Sequence, residues 1–164
     1  MNSQSPLSLP IICQCQCGQA KFSISKLPLT FYACHCTECQ SQSASAFGLL
    51  VWVERSAFNY SGNVKTWSRD TASGGRMDCH FCPDCGTRLW HESNSPDPVF
   101  GKIVSIKGGS IAAMRKLQPV RHIWTKSKHA STVIPKNVLN FPNGNIDAKA
   151  LVDAWKHSLL PTKI

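Results

Sequence analysis

Nine cysteines dominate the chemistry that this chain could perform, and eight of them fall in three tight groups. The groups read "CQCQC" at 13–17, "CHCTEC" at 34–39 and "CPDC" at 82–85, with Cys79 apart from them. Neighbours at this spacing are badly placed to bridge one another, because a disulfide needs Cβ atoms that face each other about 3.8 Å apart across a narrow range of Cα separations. They are well placed to converge on one metal ion. In "CPDCG" a tight turn aims Cys82 and Cys85 at one point, and Gly86 can take the positive φ that closes the turn. That is half of a zinc site. "CQCQCG" offers the other half: Gly18 follows Cys17 as Gly86 follows Cys85, which favours Cys15 and Cys17 as ligands and leaves Cys13 over. A four-thiolate site on these residues would be closed and structural, stapling the N-terminal region to the middle of the chain.

Cys34, Cys36 and Cys39 then form a separate group of three. Catalytic zinc sites commonly have three protein ligands and one exchangeable position, which takes water or a substrate thiolate or oxygen. Three thiolates leave such a complex net negative and weaken its Lewis acidity, so nearby cations would help. Other readings of this group stay open. His35 could complete a Cys₃His set, although a C-x-C turn directs its middle side chain away from the metal. Cys79 could supply a fourth thiolate. Cys36 and Cys39 alone form a C-x-x-C pair of the redox type.

The elements that must position these groups are short. Strand-like runs at Ala20–Ile24, Phe31–Ala33, Phe47–Val53, Phe58–Tyr60, Val64–Trp67, Arg76–His80, Arg88–Trp90, Val99–Ile106 and Arg121–Thr125 alternate with turn signals at 61–63, 73–75, 94–98 and 107–110. This is the pattern of a mainly β domain with no alternating βα units. One helix is expected near the end. Asp147 is placed to cap it, Leu151, Trp155 and Leu159 follow at helical spacing, and Pro161 stops it. A helical turn is expected around Ser110–Lys116. The organisation reads as a loose tail at 1–10, a zinc-binding domain at 11–142 and a helical extension at 143–164.

The 164 residues suffice for one buried core. The N-terminus has no basic flank before an apolar stretch, and the longest apolar run, Phe47–Val53, is too short to span a bilayer. A soluble, cytoplasmic protein is expected. The formal net charge is +9, and no acidic residue falls between Asp97 and Asp147. That stretch carries Lys102, Lys107, Arg115, Lys116, Arg121, Lys126, Lys128 and Lys136. Such a segment is a solvated surface, or an electropositive wall suited to an anionic ligand. The absence of a dense Lys/Arg block argues against nucleic acid.

The order of motifs resembles a known family. C-x-C-G reads Cys15-Gln-Cys17-Gly18, C-x-C-x-x-C reads Cys34-His-Cys36-Thr-Glu-Cys39, F-C-x-x-C-G-[ST] reads Phe81-Cys82-Pro-Asp-Cys85-Gly86-Thr87, and H-I-W reads His122-Ile123-Trp124. This is similar to the GFA family, the glutathione-dependent formaldehyde-activating enzyme and its relatives, which include the centromere protein V group. The resemblance covers roughly residues 11 to 142. It implies a zinc-stapled, mainly antiparallel β-tent, with a structural zinc on Cys15, Cys17, Cys82 and Cys85 and a second zinc on Cys34, Cys36 and Cys39. It implies carbon–sulfur lyase chemistry on a thiol adduct, such as the thiohemiacetal of glutathione and formaldehyde. Glutathione would then be a cosubstrate, the partner a small anionic thiol, and Thr87 and Trp124 would line the pocket as matched motif positions. Cys13 and Cys79 are surplus to the family's seven cysteines. The alternative is a non-catalytic zinc module that binds a protein or nucleic acid through its basic face.

Overall fold

The computed structural model describes residues 7–71, 74–94, 100–144 and 147–160. The turn expected at 73–75 is therefore described only in part, that at 94–98 only at Asn94, and Pro161 and residues 1–6 of the expected tail lie outside the described residues. The strands are β1 (Ile11–Gln14), β2 (Lys21–Ile24), β3 (Thr30–Cys34), β4 (Gly48–Glu54), β5 (Phe58–Ser61), β6 (Lys65–Asp70), β7 (Arg76–Phe81), β8 (Arg88–Ser93), β9 (Ile103–Lys107), β10 (Arg121–Ile123) and β11 (Leu139–Asn140). Two α-helices accompany them, α1 (Thr37–Ser43) and α2 (Ala148–Ser158). No helix among the described residues is long and apolar enough to cross a membrane.

The strands form two sheets. One has three strands in the order β1-β2-β5; the other has eight in the order β11-β10-β3-β4-β9-β8-β7-β6. The pairings are antiparallel except for β10, which runs parallel to both β3 and β11. Side-chain alternation decides the layers. In β2, Phe22 and Ile24 are buried while Lys21 is exposed. These side chains meet Phe31, Val51, Val53, Val104, Ile106 and Trp90 of the large sheet in one core. The Phe58 and Trp90 rings lie 4.9 Å apart, edge to face. β3 and β4 are buried on both faces at their centres, which is why both read as continuous apolar runs.

The opposite face of the large sheet carries the next residues in the alternation. Trp52, Ser105, His91 and Cys79 form one cross-strand row on β4, β9, β8 and β7. Tyr32, Leu50 and Lys107 form the neighbouring row. α2 packs against β3. The Asp147 carboxylate accepts from the Ala150 N–H at 3.0 Å, as expected of an N-cap. Leu151 and Trp155 are buried, and Trp155 meets Phe31 edge-on at 6.0 Å.

Several elements depart from expectation: β1 and β11 lie outside the expected runs, and Arg121–Thr125 shortens to β10. The Val99–Ile106 run becomes a 3₁₀ turn at Phe100–Lys102 followed by β9, and residue 99 lies outside the described residues. The helical turn expected around Ser110–Lys116 is present as the 3₁₀ segment Ala112–Lys116, preceded by another at Gly108–Ser110. α1 was not anticipated. Its sequence, TECQSQS, has no apolar periodicity, and Cys39 is its buried residue.

Candidate metal centres and cavity

β1 ends at Gln14, and the turn that follows carries Cys15, Cys17 and Gly18 towards the turn between β7 and β8. The sulfur atoms of Cys15, Cys17, Cys82 and Cys85 all lie within 4.8 Å of one another. Cys15 and Cys17 are 3.4 Å apart, and Cys17 and Cys82 3.7 Å. A tetrahedron with ~2.3 Å metal–sulfur bonds has sulfur–sulfur edges of ~3.8 Å, so this donor set fits zinc. Gly18 and Gly86 sit at φ 78° and 70°, in the left-handed region that the two turns require. The Ala20 N–H donates to the Cys15 sulfur at 3.2 Å. Thr87 belongs to this cluster: its hydroxyl lies 3.1 Å from the Cys85 sulfur and accepts from the Gln16 N–H at 3.2 Å. The bond to Thr87 is the largest of the contacts that pull the Cys85 thiol down to about 5. Cys13 stands outside the cluster, buried in the core opposite Phe22.

The sulfur atoms of Cys34, Cys36 and Cys39 form a second group within 4.8 Å. Each comes from a different local feature: Cys34 ends β3, Cys36 caps α1, and Cys39 lies one turn into it. The Cys36 sulfur accepts from the Cys39 N–H at 3.4 Å and lies 3.4 Å from the Cys34 sulfur. These hydrogen bonds, first that from Cys34, hold Cys36 down at about 2 and push Cys34 far above the usual thiol range. Gly48 pairs with Cys34 and faces Cys39; a Cβ at Gly48 would stand 3.2 Å from the Cys39 Cβ. The bare glycine lets α1 approach β4 closely enough for the three sulfurs to meet.

His35 is not part of this group. It is fully buried on the far side, its Nε2 2.8 Å from the Nδ1 of His122, with the two rings stacked. Its backbone ties the two chemical motifs together. The His35 N–H donates to the Ile123 carbonyl at 2.9 Å, and the His35 carbonyl accepts from the Gln40 side chain and the Ser127 hydroxyl. Cys79 is also outside the group; it is buried in β7 and accepts from the Gln42 amide at 3.2 Å.

The three-cysteine group opens into a cavity of about 700 Å³, and the four-cysteine group does not. Tyr32, Leu50, Trp52, Ile103, Ile123 and Trp124 form its apolar walls. Trp124 lines the cavity; its backbone is left-handed at φ 58°, and Gly144 packs so closely on its indole that any side chain there would collide. Thr87 is not among the lining residues. His91 lines the cavity, and its Nδ1 has no hydrogen-bond partner among the described residues. Burial, and then the charges of Lys107 and Arg69, hold His91 well below the usual histidine range, so the ring is neutral. Lys107 is buried behind the lining, beside Cys39, Cys79 and Cys34.

The basic stretch does not form one wall. Lys126 lines the cavity, Lys107 is buried, and Arg121 lies over the Phe141 ring at 4.3 Å. The residues that sequence reasoning missed were Tyr32, Trp52, His91 and Arg69. Tyr32 was within reach of it, because period-two alternation puts it on the same face as Cys34. The others arrive through pairings that local sequence does not specify.

The family model described as the glutathione-dependent formaldehyde-activating enzyme matches residues 10–127. No functionally curated protein matched the chain in sequence. A solved structure of a Rhodobacter sphaeroides protein is similar over 79% of this chain and 98% of its own, at 12% identity and a TM-score of 0.48. With well over half of its length matched by one family model, the chain belongs to the GFA family.

Proposed function

We propose that this protein is a zinc-dependent enzyme of the carbon–sulfur lyase type, acting on the adduct of a thiol with a carbonyl compound. One observation carries this reading: the three-cysteine group lines a cavity large enough for a small molecule, while a complete four-cysteine group lies elsewhere. The family description names glutathione and formaldehyde as reactants. We assign a structural zinc to Cys15, Cys17, Cys82 and Cys85, and a second to Cys34, Cys36 and Cys39. All nine cysteines are free, which fits a reducing compartment such as the cytoplasm.

A thiohemiacetal cleaves when its hydroxyl loses a proton, the carbon–oxygen bond becomes double, and the carbon–sulfur electron pair leaves with sulfur. Addition is the reverse. When bound, zinc supplies a Lewis acid that stabilises negative charge on sulfur or oxygen. The chain supplies the rest. His91 lines the cavity as a neutral ring whose Nδ1 is itself shielded, so the hydroxyl proton passes through water to sulfur. Trp52 and Trp124 wall the adduct in and keep bulk water from it. Lys107, buried beside Cys34 and Cys39, offsets the charge of three thiolates. The test is metal content with and without Cys36→Ser. Two zincs per wild-type chain, one per variant and loss of adduct cleavage are expected; one zinc in both would end the proposal.

A further inference from the structure

We infer that Arg69 is the specificity-determining residue of the cavity: it binds a carboxylate of the thiol substrate, in exchange for the carboxylate of Glu38. The inference rests on the reading of Cys34, Cys36 and Cys39 as an open metal site for a thiol adduct, and it names the group that recognises the thiol half.

β6 is the edge strand of the large sheet, five places from β3 in strand order, yet Arg69 reaches the metal group. Alternation puts Arg69 on the same face as Trp67, the β6 partner of Cys79. Cys79 belongs to the row that continues through His91 and Ser105 to Trp52. Arg69 stands in the next row of that face with Met77 and Ser93, and all three line the cavity. α1 crosses the same face. The Gln42 amide donates to Cys79 on β7, and the Glu38 carboxylate lies 3.6 Å from the Arg69 Nε on β6. Glu38 falls between Cys36 and Cys39, so a guanidinium that meets it is within reach of a thiol held on those cysteines.

Arg69 is poorly satisfied there. Its side chain is only 13% exposed, its Nη1 donates to the Asp70 carbonyl at 3.2 Å, and its buried Nε has no hydrogen-bond partner among the described residues. At 3.6 Å the Glu38 contact is an ion pair without a hydrogen bond. Glu38 is 53% exposed, so water solvates its carboxylate and it leaves at little cost. Because Glu38 is the carboxylate beside the Nε, its departure opens that donor to a ligand. A planar guanidinium mostly withdrawn from water then offers a carboxylate two parallel N–H bonds.

The rest of the lining agrees. Thr37 precedes Glu38, Thr71 follows Asp70, and Ser93 shares the row of Arg69, so polar side chains cluster at this end. Ser105 extends them past His91, while Ser127 commits its hydroxyl to the His35 and Trp124 carbonyls. Asp70 is paired with Arg76 at 3.8 Å. Lys126 is the other cation of the lining, but it is exposed and lacks the fork, so discrimination rests on Arg69. Glutathione, the thiol in the family description, carries two carboxylates, and about 700 Å³ holds a thiol of its size.

The experiment uses the full chain with cobalt(II) in place of zinc, whose visible spectrum changes when an external thiolate joins the metal. Glutathione and its diethyl ester, which keeps the thiol and has no free carboxylate, are titrated separately under anaerobic conditions. Wild type is expected to bind glutathione about tenfold more tightly than the ester. Arg69→Gln should weaken glutathione about tenfold and leave the ester within about twofold. Glu38→Gln removes the competing carboxylate and should tighten glutathione several-fold without moving the ester, a result that a merely structural ion pair does not produce. Equal binding of the two thiols by wild type, a preference that survives in Arg69→Gln, or a Glu38→Gln effect shared by the ester overturns the inference and leaves the thiol-adduct reading standing. A spectrum that neither thiol changes overturns both, because no open metal position then exists.

Discussion

Replacing Cys82 by serine is expected to remove about 4 kcal/mol of the stability that zinc gives the fold. Cys17 and Cys82 are 65 positions apart. An unfolded chain that kept one metal on all four thiolates would have to close that loop, which costs about 4 kcal/mol of chain entropy. The folded chain closes each turn with the Cys15–Ala20 or Cys82–Thr87 backbone bond and joins the two turns through the Gln16–Thr87 contact. Zinc therefore prefers the folded to the unfolded chain by at least that difference. The three-cysteine group behaves otherwise, because its ligands lie close together on the β3–α1 corner. The same relation for a loop from Cys34 to Cys39 yields about 2 kcal/mol, so Cys36→Ser should cost about half as much. Urea unfolding of zinc-loaded wild type and both variants, each with and without a chelator, separates these contributions. At a slope of about 2 kcal/mol per molar urea, Cys82→Ser lowers the midpoint by about 2 M and Cys36→Ser by about 1 M. Cys82 is fully buried, so a serine hydroxyl there adds its own cost; comparing wild type and variant in chelator isolates it. A wild-type midpoint that chelator does not move, or equal losses in the two variants, would refute the reasoning.

Three further outcomes follow from the geometry. Gly48→Ala puts a methyl against Cys39 at 3.2 Å, so competition with a chromophoric chelator should show zinc affinity at the three-cysteine site falling by about tenfold, with the four-cysteine site unchanged. His91→Gln should leave the rate of adduct cleavage within a few-fold of wild type and zinc content unchanged; a loss of about 10²-fold or more would make His91 the proton acceptor. His122 is held down to about 4 by burial and then by His35, whereas an unfolded histidine titrates near ~6.5. Between those values the unfolded chain binds the extra proton, so wild type loses stability as pH falls from ~6.5 towards 4. His122→Phe lacks that penalty, and its stability relative to wild type should rise over the same interval in urea titrations; a difference independent of pH would show that His122 is not buried neutral.

The ligand groups were legible in the sequence because metal-binding turns are local. In "CPDCG" and "CQCG" the spacing and the glycine together determine where the sulfurs point, and Gly18 and Gly86 take the positive φ that this reading asks of them. Most strands were legible for a related reason: alternation in β2, or an unbroken apolar run in β4, reports how many faces are covered, whereas the four-residue β1 was not anticipated. The C-terminal helix carried its own cap and stripe in Asp147, Leu151 and Trp155. α1 escaped because it is stabilised by Cys36 as cap and by one buried thiol rather than by an apolar face.

What only the tertiary structure decided is what each cysteine group faces. Adjacent motif positions diverge: Thr87 follows the "CPDCG" turn and stays with it, while Trp124 reaches the other site because β10 runs parallel to β3. The cavity draws on β3, β4, β8, β9 and β10 at once, and pairing between such distant segments depends on how the whole apolar surface is best buried, which no local window encodes. The sequence determined that seven thiols fall into two groups with the spacing of metal sites. The fold decided that one group lies apart from the cavity and the other at its wall, and that the wall is aromatic where the charge of the chain had suggested a basic one.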